Sequence, residues 1–164
     1  MTAPDGGQTL QAMRARLLTA RARLDGLPIA ARLETGPTDP TTGESWHRGN
    51  VLGHMSEMID YWTPQLGKAA GGSKDVGRDE AGRQKRRHGI ESGNAATEAE
   101  LKVAVDQGIG RAIDLLDSFS LADLDREVVY HSREGDREAR VGELLEMLLV
   151  GHVEEHVSQL ASLE

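Results

Sequence analysis

The segment from Gly142 to Leu163 constrains this chain more than any other. It carries Leu144, Leu145, Met147, Leu148, Leu149, Val150, Val153, Val157 and Leu160, contains no proline, and is interrupted only by Gly151. At 3.6 residues per turn these side chains cover most of a helix circumference, and such a helix has to be surrounded by other elements. The pattern predicts a central helix in an all-α protein. That helix must also accommodate two polar rings, His152 and His156.

Three further segments have helical periodicity. From about Gln8 to Asp25, Leu10, Met13, Leu17 and Leu24 form one stripe, and Gly26 and Pro28 end the helix. An irregular linker is expected from Glu34 to Glu44, where Pro37, Pro40 and Gly43 fall. A second helix starts between Ser45 and Asn50 and buries Val51, Met55, Met58, Ile59 and Trp62; Pro64 is expected to kink or restart it, and Gly71 and Gly72 to close it. Residues 67–96 are glycine-rich and read as a long, partly irregular linker with a short helix from about Asp79 to Arg87. The basic run Lys85, Arg86, Arg87, His88 is either solvated or an anion-binding loop beside a pocket. Thr97 and Glu100 make a capping box for a third helix, along which Leu101, Val105, Ile109, Ala112 and Leu116 share a face. Between Arg126 and Val141 the pattern alternates around Gly135, which predicts a small hairpin or an extended crossover before the last helix. The expected architecture is four helices in one domain spanning residues 1–164, a length that can bury a substantial core.

Composition removes several classes of function. There is no cysteine, hence no disulfide framework, thiolate ligand or cysteine nucleophile. The formal net charge of −8 opposes binding to a nucleic-acid backbone. No apolar run is long enough to span a membrane, and the opening MTAPDGGQTLQAM lacks the basic start and apolar run of a secretory signal, so a cytoplasmic location is expected.

Three of the six histidines stand apart. His152 and His156 are four residues apart and project from nearly one helix face, about 6 Å apart along the axis. Both lie in the most apolar part of the chain, where unpartnered polar rings are costly and a metal ion would satisfy both. The alternative is a pair of ordinary hydrogen bonds at a bundle end. His54 lies one turn after Val51 and one before Met58, on or beside the buried face of the second helix. Three neutral imidazoles and an open position suit zinc or nickel. His47, His88 and His131 sit in polar contexts and are expected at the surface. His152-Val-Glu-Glu-His156 also matches the H-x-x-E-H pattern of one metallopeptidase class. That chemistry needs a further acidic ligand downstream, and Glu164 would lie two turns further along the same helix, so peptidase activity is not expected.

Two stretches carry a resemblance to a known family. Trp46-His-Arg-Gly-Asn-Val-Leu-Gly-His54-Met is similar to the Trp and Val-Leu-x-His-Leu stretch of the DinB/YfiT-like superfamily. Val141 to Leu160, with His152, His156 and the following Gln159-Leu160, is similar to that family's closing helix. The superfamily comprises metal-binding four-helix bundles. It includes thiol-dependent S-transferases and the N-terminal domain of mycothiol-dependent maleylpyruvate isomerases. The resemblance implies a DinB-like four-helix bundle in which His54, His152 and His156 hold one divalent metal. Some relatives have an acidic residue among the ligands, where this chain has only histidine. The isomerases carry a second domain, so their reaction is not the expectation here.

The function implied is a metal-dependent transferase using a low-molecular-weight thiol of mycothiol type and an electrophilic substrate, with a homodimer as a candidate assembly. A non-catalytic metal-binding or interaction module and a metal-dependent hydrolase are the alternatives. Glu57 and Glu155 are candidates for orienting ligands or moving protons, each otherwise a solvated carboxylate. Trp46 would wall the pocket or staple the helix start. Arg78, with the basic run at 85–87, would hold a cofactor or substrate carboxylate.

Overall fold

The computed structural model describes residues 6–29 and 36–163. Helix α1 spans Gly6–Gly26, α2 Arg48–Ala70, α3 Glu80–Ser92, α4 Glu98–Ser118 and the short α5 Leu121–Leu124. The closing helix runs as α6 (Val141–Leu145), a π-helical segment (Glu146–Val150) and α7 (Gly151–Ser162). Strands β1 (Asp75–Gly77), β2 (Glu127–Ser132) and β3 (Gly135–Arg140) form a small sheet in that order; β1 pairs parallel to β2, and β2 antiparallel to β3. No described helix is long and apolar enough to cross a membrane.

The core follows the expected stripes. Met13, Leu17 and Leu24 of α1, Val51 to Leu66 of α2 and Leu101 to Leu116 of α4 supply buried side chains, and Leu144, Leu149, Val153, Val157 and Leu160 fill the centre. Thr97 and Glu100 form the expected capping box on α4: the Glu100 amide donates to Thr97 Oγ1, and the Thr97 amide to Glu100 Oε2. Arg48 and Glu98 make a buried ion pair, with Arg48 Nη2 2.6 Å from Glu98 Oε1. Arg48 also donates to the carbonyls of Leu160 and Pro28, which fastens α2 to α4, to the end of α7 and to the exit of α1.

Four expectations change. The all-α expectation holds in the main, the fold being mostly helical, and is extended by a three-stranded sheet: of the hairpin and the extended crossover the hairpin forms, with Gly135 at φ +120°, and β1 adds to it from the stretch expected as linker. That stretch also holds a full helix, α3, ending five residues beyond the expected Arg87. α2 does not restart at Pro64 but runs through it, because Pro64 is on the exposed face and the carbonyl it leaves unpaired belongs to exposed Asp60. The last helix is not regular, since a π turn inserts between α6 and α7. Of the linker expected from Glu34 to Glu44, residues 34 and 35 lie outside the described residues, as do Glu164 and the ends of the expected domain. The rest is irregular as expected, with Asp39 Oδ1 accepting from the Thr41 and Thr42 amides and Gly43 at φ +72°.

Glycine explains how a helix so poor in apolar residues docks. The only side chain of any size that α3 buries is Ile90. Gly49 and Gly53 on α2 face Gly89 and Gly93 across the α2–α3 contact. A Cβ on Gly53 would lie 2.3 Å from the Gly89 carbonyl oxygen, and one on Gly93 would lie 2.0 Å from that of Gly49. The two backbones touch directly, an approach open only to glycine.

Candidate metal centre

His54, His152 and His156 converge. One ring nitrogen of each lies within 4.8 Å of the others. The ring centroids are 5.4 Å apart for His54–His152, 4.9 Å for His54–His156 and 4.7 Å for His152–His156. The i, i+4 spacing aligns the last two on α7, and α2 brings His54 opposite. The π turn sits immediately before them. Its extra residue rotates α7 about the helix axis relative to α6. Gly151, whose amide closes the turn on the Glu146 carbonyl, lies where a Cβ would come within 2.9 Å of that oxygen. Arg16 of α1 grips Glu146, at the start of the turn, and Glu154 beyond it in α7.

The hydrogen bonding fits a metal. The His156 Nδ1–H donates to Gln159 Oε1 at 2.8 Å, which leaves Nε2 with its lone pair; that Nε2 is buried and has no partner. His54 Nδ1 is likewise buried without a partner. His152 is hydrogen-bonded to the Leu148 carbonyl. Two buried imidazole nitrogens without partners, in a cluster where each ring brings one nitrogen within 4.8 Å of the others, are unfavourable alone and would be satisfied by a cation.

Burial holds the three rings neutral. It pushes the His54 imidazole down to about 2, with His156, His152, Arg86 and Arg78 acting in the same direction, and His152 down to about 3, with His156 next, against the hydrogen bond to the Leu148 carbonyl. His156 is lowered by burial and by Arg86, against the Gln159 hydrogen bond. Neutral imidazole is the form that binds metal. No acidic side chain joins the three among the described residues.

The cluster opens into a cavity of about 760 Å³. Trp46 lines it, with its ring 5.0 Å from His54 and stacked 6.0 Å from His156. Arg78 also lines it, but its guanidinium is held from behind by both oxygens of Glu57, at 2.6 and 2.9 Å, and lies 4.0 Å over the Tyr61 ring. Glu57 therefore positions Arg78 and is not among the cavity-lining residues, whereas Glu155 is exposed on the cavity wall. Gln65 fixes the start of this arm by accepting from the Gly77 amide and donating to the Gly77 carbonyl. Of the basic run, only Arg86 reaches the cavity, paired with Glu44 and 5.7 Å over Trp46; Arg87 pairs with Glu80, and Lys85 and His88 are exposed. His47 is not simply a surface residue. It caps α2, with Nδ1 accepting from the Asn50 amide.

Sequence reasoning missed the hairpin as the far wall, where Tyr130, Arg133 and Arg137 face the cavity, and missed Gln159 as the residue that orients His156. The i, i+3 spacing of His156 and Gln159 was the available signal for the second; none existed for the first.

Compared with families of known proteins, residues 9–160 match the DinB superfamily. Comparison with curated proteins and with solved structures gives no match.

Proposed function

This chain belongs to the DinB superfamily, and on that footing we propose that it is a metal-dependent transferase using a low-molecular-weight thiol of mycothiol type as nucleophile. The observation that carries this reading is three neutral imidazoles at the inner end of an open cavity, with no protein carboxylate among them. A divalent ion there, zinc or nickel, would keep its full charge and offer a position at which a thiol sulfur is favoured as thiolate.

The chain's own groups fit this use. Gln159 holds the His156 tautomer and Trp46 shields the inner rings from water. Arg78 and Arg86 set positive charge beside the histidines, which favours an anionic sulfur. Glu155, exposed on the wall, would take the thiol proton or relay it to solvent. The sulfur lone pair then bonds to the electrophilic carbon, and the leaving group departs with the electron pair of the broken bond.

Elemental analysis of protein purified without chelator tests the first half. We expect one metal per chain, a steep loss in His152→Ala and no change in His88→Ala. Cobalt-loaded protein given a small thiol should develop a sulfur-to-metal charge-transfer band in the near ultraviolet, absent from His54→Ala, and the zinc or nickel form should conjugate that thiol to a haloarene. Metal with neither band nor turnover would move the assignment to a binding module; full metal retention in His152→Ala would remove the site.

A further inference from the structure

The cavity gathers arginine in a chain that is acidic overall. Arg78, Arg83, Arg86, Arg133 and Arg137 line it, and no lysine does. Four of them are oriented by carboxylates: Arg78 by Glu57, Arg83 by Glu80, Arg86 by Glu44 and Arg137 by Glu143. Of these partners only Glu44 faces the cavity, so Glu57, Glu80 and Glu143 brace their arginines from outside it. Arg133 has no ion-pair partner among the described residues.

Arg133 sits on the two-residue turn of the β2–β3 hairpin, and that turn is stiff. Ser132 Oγ donates to the Gly135 carbonyl at 2.9 Å and accepts from the Glu134 amide, while Gly135 adopts φ +120°. Beside it, His131 is held across the sheet by Asp75 and Asp136, each at 2.8 Å. Arg137, opposite Tyr130 in the register, stacks 5.4 Å over that ring. Tyr130, Met147 and Leu148 also line the cavity; Tyr130 and Met147 touch Arg137, and the Leu148 carbonyl accepts from His152. The carboxylates that also face the cavity are Asp39, engaged in its own turn, Glu44, paired with Arg86, and Glu134 and Glu155.

We propose that the hairpin turn is an oxyanion-recognition element, with Arg133 as the primary contact and Arg137 beside it, and that the cavity takes a small molecule with an apolar body and a carboxylate or phosphate at the hairpin end. The guanidinium fork matches both groups, and the hydrogen-bonded turn fixes the backbone from which it reaches. The apolar stretch of wall then directs the rest of the molecule towards the histidines. The proposal rests on this cavity being the substrate pocket of the function proposed above, but its test does not need the metal.

The test is a fluorescence titration, since Trp46 and Trp62 both line the cavity. The probes are benzoate, phenyl phosphate and the neutral isostere benzamide. A charged-group hydrogen bond predicts that at least one of the two anions binds about tenfold more tightly than benzamide, with the advantage falling as salt rises. Whichever anion binds better identifies the natural head group. Arg133→Gln should remove most of that advantage while leaving benzamide binding unchanged, Arg133→Lys should retain part of it, and Arg137→Gln should weaken it less. His152→Ala should keep the anion preference even if metal is lost, which separates failure of this idea from failure of the metal centre. Equal binding of the three probes, or an Arg133→Gln variant that weakens all of them alike, would overturn it.

Discussion

Helices α3 and α7 border the same cavity and are held in place by opposite means. α7 is anchored by side chains, with Val153, Val157 and Leu160 fully buried. α3 buries Ile90 and otherwise meets α2 through glycine backbones. Burial of side chains leaves a periodic apolar stripe in the sequence. Close backbone contact leaves only glycines, which resemble the punctuation of a loop. Each helix nevertheless carries cavity residues: α7 brings His152 and His156, and α3 brings Arg83 and Arg86.

The contrast is broken most severely at the glycines. Gly53→Ala or Gly93→Ala sets a Cβ against backbone on the facing helix, and each should cost about 3 kcal/mol or more in denaturant unfolding, since neither side can yield as a side chain would. Gly110→Ala in α4, where the nearest atoms are the far end of Arg21 at 3.9 Å, should instead stabilise by about 1 kcal/mol. Equal effects at the two kinds of position would mean that the α2–α3 contact is looser than described.

On the other side of the comparison, the closing helix should fail by loss of volume. Leu149→Ala in the π turn should cost about 3 kcal/mol through the cavity it leaves. Ile90→Ala on α3, at the edge of the core, should cost less than half of that. A larger loss at Ile90 would show that α3 relies on side chains after all.

Acid should act on the α7 side. In metal-free protein His54 and His152 titrate far below the ordinary imidazole value of about 6.5, so between those values the unfolded chain binds more protons than the folded one. Their contribution is complete above about pH 6.5 and is lost progressively as pH falls towards 3. The denaturation midpoint of metal-free protein should therefore drop between pH 6.5 and 4, and drop less in His54→Leu. Parallel pH profiles for the two proteins would count against buried neutral rings. Burial has a further consequence: protons compete for these nitrogens only well below pH 6.5, so metal should persist into mildly acidic buffer.

The smallest effect belongs to the hairpin. Asp75 and then Asp136 raise the exposed His131 imidazole above its ordinary value. A raised value contributes stability that is present below about pH 6.5 and fades as pH climbs through the folded value. Intrinsic exchange rates removed, amide protection in β2 and β3 should decrease modestly from pH 6 to 9, and His131→Gln should abolish the trend without altering α7.

Much of this was legible along the chain. The apolar run at 144–160 announced a central helix, the Thr97–Glu100 pair marked where α4 begins, and the spacing of His152 and His156 brought two rings to one face. Each is a local relation, decided by helical geometry within a turn or two. His54 could be placed beside a buried stripe, and its meeting with the other two followed from the family resemblance rather than from spacing.

What the chain alone determined, then, is the set of faces: which residues each helix turns inward, and that three of its histidines belong there. Tertiary structure decided how faces meet. That Gly49 and Gly53 receive Gly89 and Gly93, that Glu57 braces Arg78 rather than standing free, and that the β2–β3 turn closes the far wall with Arg133 are contacts between segments distant in sequence. Such contacts depend on the relative placement of whole elements, and periodicity within one element carries no information about the distance to another.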